Sequence, residues 1–289
     1  FLDAMAKHIG ESGLFEDFNT LFVDWSLSNQ DFCLKPISIP INCLIVRSYE
    51  LMGELYQIQR WKKLGAKVRT RIEEIMEKTG CGSDGYRFEN GCFKGNGCRT
   101  ETGIALELWC GFHKKDKTLL RTFTERMGTA PNYRPDPNIG RSNLFIGLMI
   151  RFEVLAKSGK IDALIKELKN VYLPQLLEGP GTLYEGIQSE SGCHGFNANA
   201  GALLANHVLG LGQPMQLTKT VRLSPYPGEI LWAQGSAYCC DGMIFFQWEA
   251  DHDSHILEMQ LQLPDGWKPE ICLPFALSGW KVLLNGEKL

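Results

Sequence analysis

The chain has 289 residues, 44% of them hydrophobic and 22% charged, enough for a sizeable core in one large domain or two ordinary ones. A formal net charge of −3 offers no field for a nucleic acid or an anionic membrane. No window approaches the roughly 18 uninterrupted apolar residues that a membrane span needs. The first residue is Phe1 and no signal segment is visible, which leaves room for a natural start further upstream.

Up to about residue 212 the apolar residues recur at three- and four-residue steps. Residues 41–61 place Leu44, Ile45, Tyr49, Leu51, Met52, Leu55 and Ile58 on one stripe, which predicts a helix. Residues 64–78 repeat the pattern with Val68, Ile72, Ile75 and Met76, and Gly80 marks the stop. Further apolar-striped helices are predicted over 102–112, 118–127, 143–156, 161–177 and 197–209. The Gly-, Pro- and Asn-rich stretches 80–97 and 130–140 read as breaks. Helices in series without strands between them predict an all-α layer structure, and no fixed-period repeat points to a solenoid.

From about residue 213 the pattern shortens. Segments 217–223, 229–234, 242–249, 255–263, 270–273 and 281–284 read as strands, divided by turn signals such as Pro264-Asp265-Gly266 and Asn285-Gly286. Leu257, Met259, Leu261 and Leu263 alternate with polar residues, the period of a half-buried strand. A small antiparallel β-domain over 213–289 is therefore expected after a helical domain over 1–212. Trp232 and Trp248 are expected to pack its inner face, and Trp61 and Trp109 to pack between helices.

Ten cysteines are poorly placed for a disulfide framework, because Cys43, Cys110 and Cys272 sit in apolar runs. Cys92 and Cys98 lack CxxC spacing, and His252 and His255 form an isolated HxxH without a third local ligand, so no metal site is expected. Free, mostly buried thiols are the expectation, with a lean toward a reducing, cytoplasmic compartment.

Chemistry concentrates near the end of the helical part. Gly179-Pro180-Gly181-Thr182-Leu183-Tyr184-Glu185 sets a carboxylate after a tight turn, and Ser191-Gly192-Cys193-His194-Gly195-Phe196 is a second small-residue loop opening a helix. Side chains on such loops can point into a shared pocket. A Glu and a His among aromatic rings suit a polyhydroxylated ligand, the rings covering C–H surface and the polar groups bonding hydroxyls. The same letters also fit a solvated or capping Glu185, and Asp24-Trp25 fits a capping Asp with a packed Trp as well as a polar cleft beside Asn29 and Gln30.

Taken in order, these tracts resemble the α-L-rhamnosidase family of bacterial glycoside hydrolases. Residues 179–185, then Cys193-His194-Gly195-Phe196, then 204–212 are similar to its "TxWE … CHGW … LGI" course, with Tyr184 standing where that pattern has Trp. Phe22-Val23-Asp24-Trp25, Thr100-Glu101-Thr102-Gly103 through Trp109, and Ile139-Gly140-Arg141-Ser142-Asn143-Leu144-Phe145 resemble further blocks, and residues 224–248 resemble its C-terminal β-domain. The resemblance implies a mainly α fold, part of an (α/α)6 toroid, followed by a small antiparallel β-sandwich. It implies hydrolysis of terminal α-L-rhamnosyl residues with inversion, by an acid and a base about 6.5–9.5 Å apart. By the same resemblance Glu185 is the general base, His194 binds the sugar, Asp24 and Trp25 floor its subsite, Tyr184 and Phe196 flank it, and no cofactor is needed. The partner is then a rhamnose-containing glycoside or polysaccharide, not a nucleic acid or a membrane.

The family's general acid lies in an acidic, Arg-containing loop upstream of the region where this chain begins. Nothing between Phe1 and Asp24 matches it, Glu11, Glu16 and Asp17 included. Two other readings stay open. One is another toroid glycosidase, an unsaturated uronyl hydrolase or an α-fucosidase, for which Arg141 is the basic residue to consider near the cleft. The other is a non-catalytic carbohydrate-binding relative.

Overall fold

The computed structural model describes residues 1–16, 22–80, 82–113, 116–129, 136–187 and 191–289. Asp17, Cys81, residues 130–135 of the predicted 130–140 break and the side chain of Phe145 lie outside the described part. The chain forms two compact units, Phe1–Leu155 with Lys169–Asn197, and Ala156–Leu168 with Ala198–Leu289.

The first unit opens with the short helices α1 (Leu2–Met5) and α2 (Asp31–Leu34) and the strand β1 (Ile37–Ser38). Helix α3 (Ile39–Leu55) starts where the Ser38 hydroxyl accepts the Ile41 amide and Pro40 occupies the first turn. The single helix predicted over 41–61 is two. The chain turns at Tyr56–Ile58, with Gln57 at φ 53°, and α4 (Gln59–Thr79) then runs to Gly80 at φ 64°. Apolar periodicity passes through such a turn unbroken, because both helices bury their stripes in the same core. Glycine permits their close approach: a Cβ on Gly65 would lie 3.0 Å from that of Tyr49. Tyr49, Val68, Ile72, Ile104 and Phe123 are fully or almost fully buried in this core.

The predicted loop 80–97 contains a hairpin, β2 (Gly85–Glu89) and β3 (Cys92–Gly95), and β2 also pairs with β1. Strands therefore do interrupt the helical series. The signal was present as Asn90-Gly91, whose φ values of 52° and 77° give the two left-handed residues of a tight hairpin turn. The expectation of free, mostly buried thiols also needs correction. Cys33 and Cys98 form a disulfide, and of the free cysteines among the described residues only Cys43 and Cys110 are buried. The pairing joins residues 65 positions apart, which no local spacing announces.

Helices α5 (Glu101–Trp109), α6 (Lys117–Arg126), α7 (Met149–Lys157) and α8 (Ile161–Leu177) follow, with a π-helical turn at Leu144–Leu148 leading into α7. Arg99 binds Glu107 through two bonds of 2.6 and 2.8 Å and Asp84 through one of 2.9 Å, all nearly removed from water. Burial pushes Asp84 up to about 6 despite that guanidinium. Burial also opposes the charge of Glu107, but Arg99 and His113 outweigh it and lower its pKa.

In the second unit the helix predicted over 197–209 is α9 (Asn199–Leu203) continued by a π-helical segment, Leu204–Leu209, that ends at Gly210 with φ 80°. Seven strands follow: β4 (Thr220–Leu223), β5 (Trp232–Cys239), β6 (Gly242–Asp251), β7 (Ile256–Gln262), β8 (Lys268–Ile271), β9 (Lys281–Leu284) and β10 (Glu287–Lys288). They form a five-stranded sheet, β10-β9-β7-β6-β5, and a pair, β4-β8. The expected antiparallel arrangement is mixed instead, because β7–β9 and β4–β8 are parallel. Phe246, Trp248, Leu257 and Met259 fill the inner face, and the Trp248 indole donates to the Leu209 carbonyl at 3.0 Å. Trp232 does not join them. It lies on the edge strand and points outward. Among the described residues no helix is long and apolar enough to cross a membrane, and no cluster of three or more His, Cys, Asp or Glu could hold a metal ion.

Candidate active site

The first unit brings together segments that are far apart in sequence. The Trp25 indole N–H donates to Glu185 Oε1 at 3.1 Å across 160 residues. His194 Nε2 stands 3.9 Å from the same oxygen, and its ring stacks on Phe196 with centroids 5.4 Å apart. Both loops are fixed from behind: the Glu185 amide donates to the Ser191 carbonyl at 3.0 Å, and the His194 amide to the Leu183 carbonyl at 2.8 Å. Buried Asn197 donates to the Tyr184 carbonyl, and the Tyr184 amide donates to Gln175 at 2.9 Å.

Two clefts share the wall formed by Trp25, Ser26 and Asn143. One, of about 610 Å³, adds Asn29, Gln30, Glu185 and Gly186. The other, of about 720 Å³, is lined among others by Tyr184, Glu178, Arg141, Asn170 and Gln175. Glu185 thus faces the first cleft, Tyr184 the second, and Trp25 both. Neither His194 nor Phe196 lines either cleft. Asn29 and Gln30, noted from the sequence only as polar neighbours of Trp25, are part of the lining.

Asp24 has no exposed surface. Its Oδ2 accepts the Thr102 hydroxyl at 3.0 Å and the Asn143 amide at 2.9 Å. Burial raises its pKa even though these donors and Ser26 favour the charged form. The space is tight, since a Cβ on Gly147 would come within 2.7 Å of the same oxygen. The Thr100–Gly103 block is internal bracing as well: Thr100 caps α5, and the Glu101 carboxylate accepts the amides of Gly128 and Ser142.

Asn143 is the residue that sequence reasoning did not nominate. Its Nδ2 donates to the Trp25 carbonyl at 2.9 Å, and its Oδ1 accepts the amides of Leu144 at 2.8 Å and Ile187 at 2.9 Å. One amide side chain therefore ties the Asp24–Trp25 segment to the Glu185–Ile187 loop and caps the π-helical turn. The signal available was an Asn before an apolar helical stripe, which announces a cap and not a tie between loops.

No family model and no curated protein matches this sequence. Solved structures do. A GH78 family rhamnosidase of Bacillus sp. GL1 superposes with a TM-score of 0.81 at 16% identity, over 100% of this chain and 31% of its own. The α-L-rhamnosidase of Streptomyces avermitilis, solved with L-rhamnose, gives 0.67 at 16% identity over 94% of this chain and 26% of its own. The α-L-rhamnosidase of Dictyoglumus thermophilum gives 0.62 at 14% identity, over 95% and 31%. At such identities the likeness is one of fold. In fold, the chain resembles a portion of the α-L-rhamnosidases, spanning about a third of the first of them.

Proposed function

We propose that this chain carries the base-bearing part of an inverting glycoside hydrolase site that removes terminal α-L-rhamnosyl residues. The observation that carries this reading is the Trp25–Glu185 hydrogen bond in a half-open cleft, where two segments with rhamnosidase-like sequence meet. Its fold likeness to rhamnosidases supports the same choice of substrate class, and supports placing the helices in an (α/α)6 toroid and the strands in a β-sandwich.

In this reading Trp25 holds Oε1 of Glu185, His194 stands 3.9 Å from the same oxygen, and Oε2 takes the proton of the attacking water. Trp25 supplies an aromatic face to the sugar, with Asn29 and Gln30 as hydroxyl partners. Asp24 acts from behind, fixing Asn143 and the Trp25 backbone, and Phe196 holds the His194 ring. Tyr184 belongs to the adjoining cleft and faces the neighbouring group of the substrate. The general acid comes from a segment of the whole enzyme that carries the acidic, Arg-containing loop.

The experiment compares the full-length enzyme and its Glu185→Gln variant on a chromogenic α-L-rhamnoside. Turnover should fall about 10²-fold or more while L-rhamnose affinity is retained. Glu178 is the other carboxylate among the described residues lining the two clefts, so Glu178→Gln is the companion variant. Equal loss in Glu178→Gln would move the acid into this chain. Undiminished turnover in Glu185→Gln would end the general-base assignment. A full-length protein that binds L-rhamnose but hydrolyses no α-glycoside would make the site a binding site.

A further inference from the structure

The outer face of the five-stranded sheet carries a pattern that core packing does not use. Residues paired across strands share a face, so the register sets its rows: Ser236–Phe245–Gln262, Gln234–Gln247–Gln260 and Trp232–Glu249–Glu258, with Tyr238 beside Met243. The alternate residues Ile244, Phe246 and Trp248 fill the inner face, which leaves the outward set free of any core requirement. Three of that outward set are large aromatics, Tyr238 at 81% exposure, Trp232 at 60% and Phe245 at 49%.

Between the rings lie amides. Gln247 Nε2 donates to Gln260 Oε1 at 2.9 Å, which orders both side chains and leaves the Gln247 carbonyl oxygen as an acceptor and the Gln260 amide N–H groups as donors. Such a pair matches two neighbouring hydroxyls, each of which can donate and accept. A depression of about 320 Å³ runs over Gln234, Ser236, Phe245, Gln247, Gln260 and Gln262. A second, of about 760 Å³, continues past Trp232 along Glu249, Glu258, Asp251, His252 and Asp253. Neither lining contains a lysine or arginine. The lysines of this face, Lys281 and Lys288, stand on the β9 and β10 side of it. Along the depressions themselves a phosphate- or uronate-bearing chain would meet the carboxylates of Glu249, Glu258, Asp251 and Asp253, whereas hydroxyl groups would donate to them. Aromatic rings separated by amide rows ask for a ligand that alternates C–H faces with hydroxyl edges. At ~3.4 Å per residue the Trp232 and Phe245 rows are about 14 Å apart, more than one sugar ring spans.

We propose that this face of the β5–β6–β7 sheet binds a neutral polysaccharide chain, laid across Trp232, the Gln247–Gln260 pair and Phe245. It shares no residue with the Glu185 cleft and does not depend on the hydrolase reading. The test is affinity electrophoresis of the intact chain in native gels containing xyloglucan, galactomannan or hydroxyethylcellulose, with polygalacturonate as the anionic control. At least one neutral polysaccharide should retard the protein and polygalacturonate should not. Trp232→Ala and Phe245→Ala should each weaken the apparent Kd about threefold to tenfold. Gln247→Ala with Gln260→Ala should weaken it too, and Arg121→Ala, at an exposed position on α6, should leave it unchanged. Urea denaturation checks that each variant is folded. Retardation by none of the neutral polysaccharides, retardation indifferent to these variants, or equal retardation by polygalacturonate would overturn the proposal. A wild-type dimer that Trp232→Ala makes monomeric, without any polysaccharide binding, would overturn it in favour of a protein interface.

Discussion

Replacing Asn143 by Ala should separate the two loops that make the Glu185 cleft. The substitution removes three hydrogen bonds, to the Trp25 carbonyl and from the Leu144 and Ile187 amides, and leaves the Asn143 backbone bond to Asp24 intact. Each such bond contributes about 1 kcal/mol net, and loss of an Asn cap costs about the same. The Trp25 and Ile187 partners are exposed and regain water, so the stability loss should be about 1–2 kcal/mol and not the full sum. Urea denaturation reads that loss. Isothermal titration with L-rhamnose should show an affinity about tenfold weaker, because both cleft walls must be re-ordered on binding. Asn143→Asp keeps the acceptor for Leu144 and Ile187 but loses the donor to Trp25, so it should recover part of the stability and little of the affinity. An Asn143→Ala protein that binds L-rhamnose within twofold of wild type would refute the idea that this side chain sets the geometry of the cleft.

Other outcomes follow from the buried charges and the disulfide. Arg99→Met strands Asp84 and Glu107 without their shared cation, and should cost about 3–5 kcal/mol in urea denaturation, against less than 1 kcal/mol for exposed Arg121. Reduction of Cys33–Cys98, or Cys98→Ser, reopens a loop of 65 residues and should cost about 2–4 kcal/mol. Asp84 has a folded pKa of about 6, above its ordinary 3.8, so the folded state holds the extra proton between those values. Its contribution to stability is therefore present at low pH and lost as pH rises through about 6. The wild-type stability measured relative to Asp84→Asn should decline over that window, and a rising or flat difference would contradict the burial argument.

The sequence made several elements legible because their signals are local. The stripe ending before Gly80, the alternation along β7 and the Asn285-Gly286 turn need only the chain's own periodicity and turn chemistry. Asn90-Gly91 is a local hairpin signal as well, set among glycines that by themselves fit a loop equally. The break at Tyr56–Ile58 carried no comparable signal, since both flanking helices bury matching stripes. Trp232 and Trp248 show the limit of the period-two argument: both lie on strands, and only the register and the edge position decide which one is buried.

Of the candidate site, the sequence named the loops of Glu185 and His194 and the Asp24–Trp25 segment, because small-residue turns and their order along the chain are local facts. Only the tertiary structure decided that Trp25 bonds Glu185, that Asp24 is buried behind it, that Tyr184 faces another cleft, and that Asn143 joins the two walls. These are contacts across more than 40 and as many as 160 residues. Residue type and spacing fix what a side chain can bond, but which partner it meets depends on how the core brings distant segments into register.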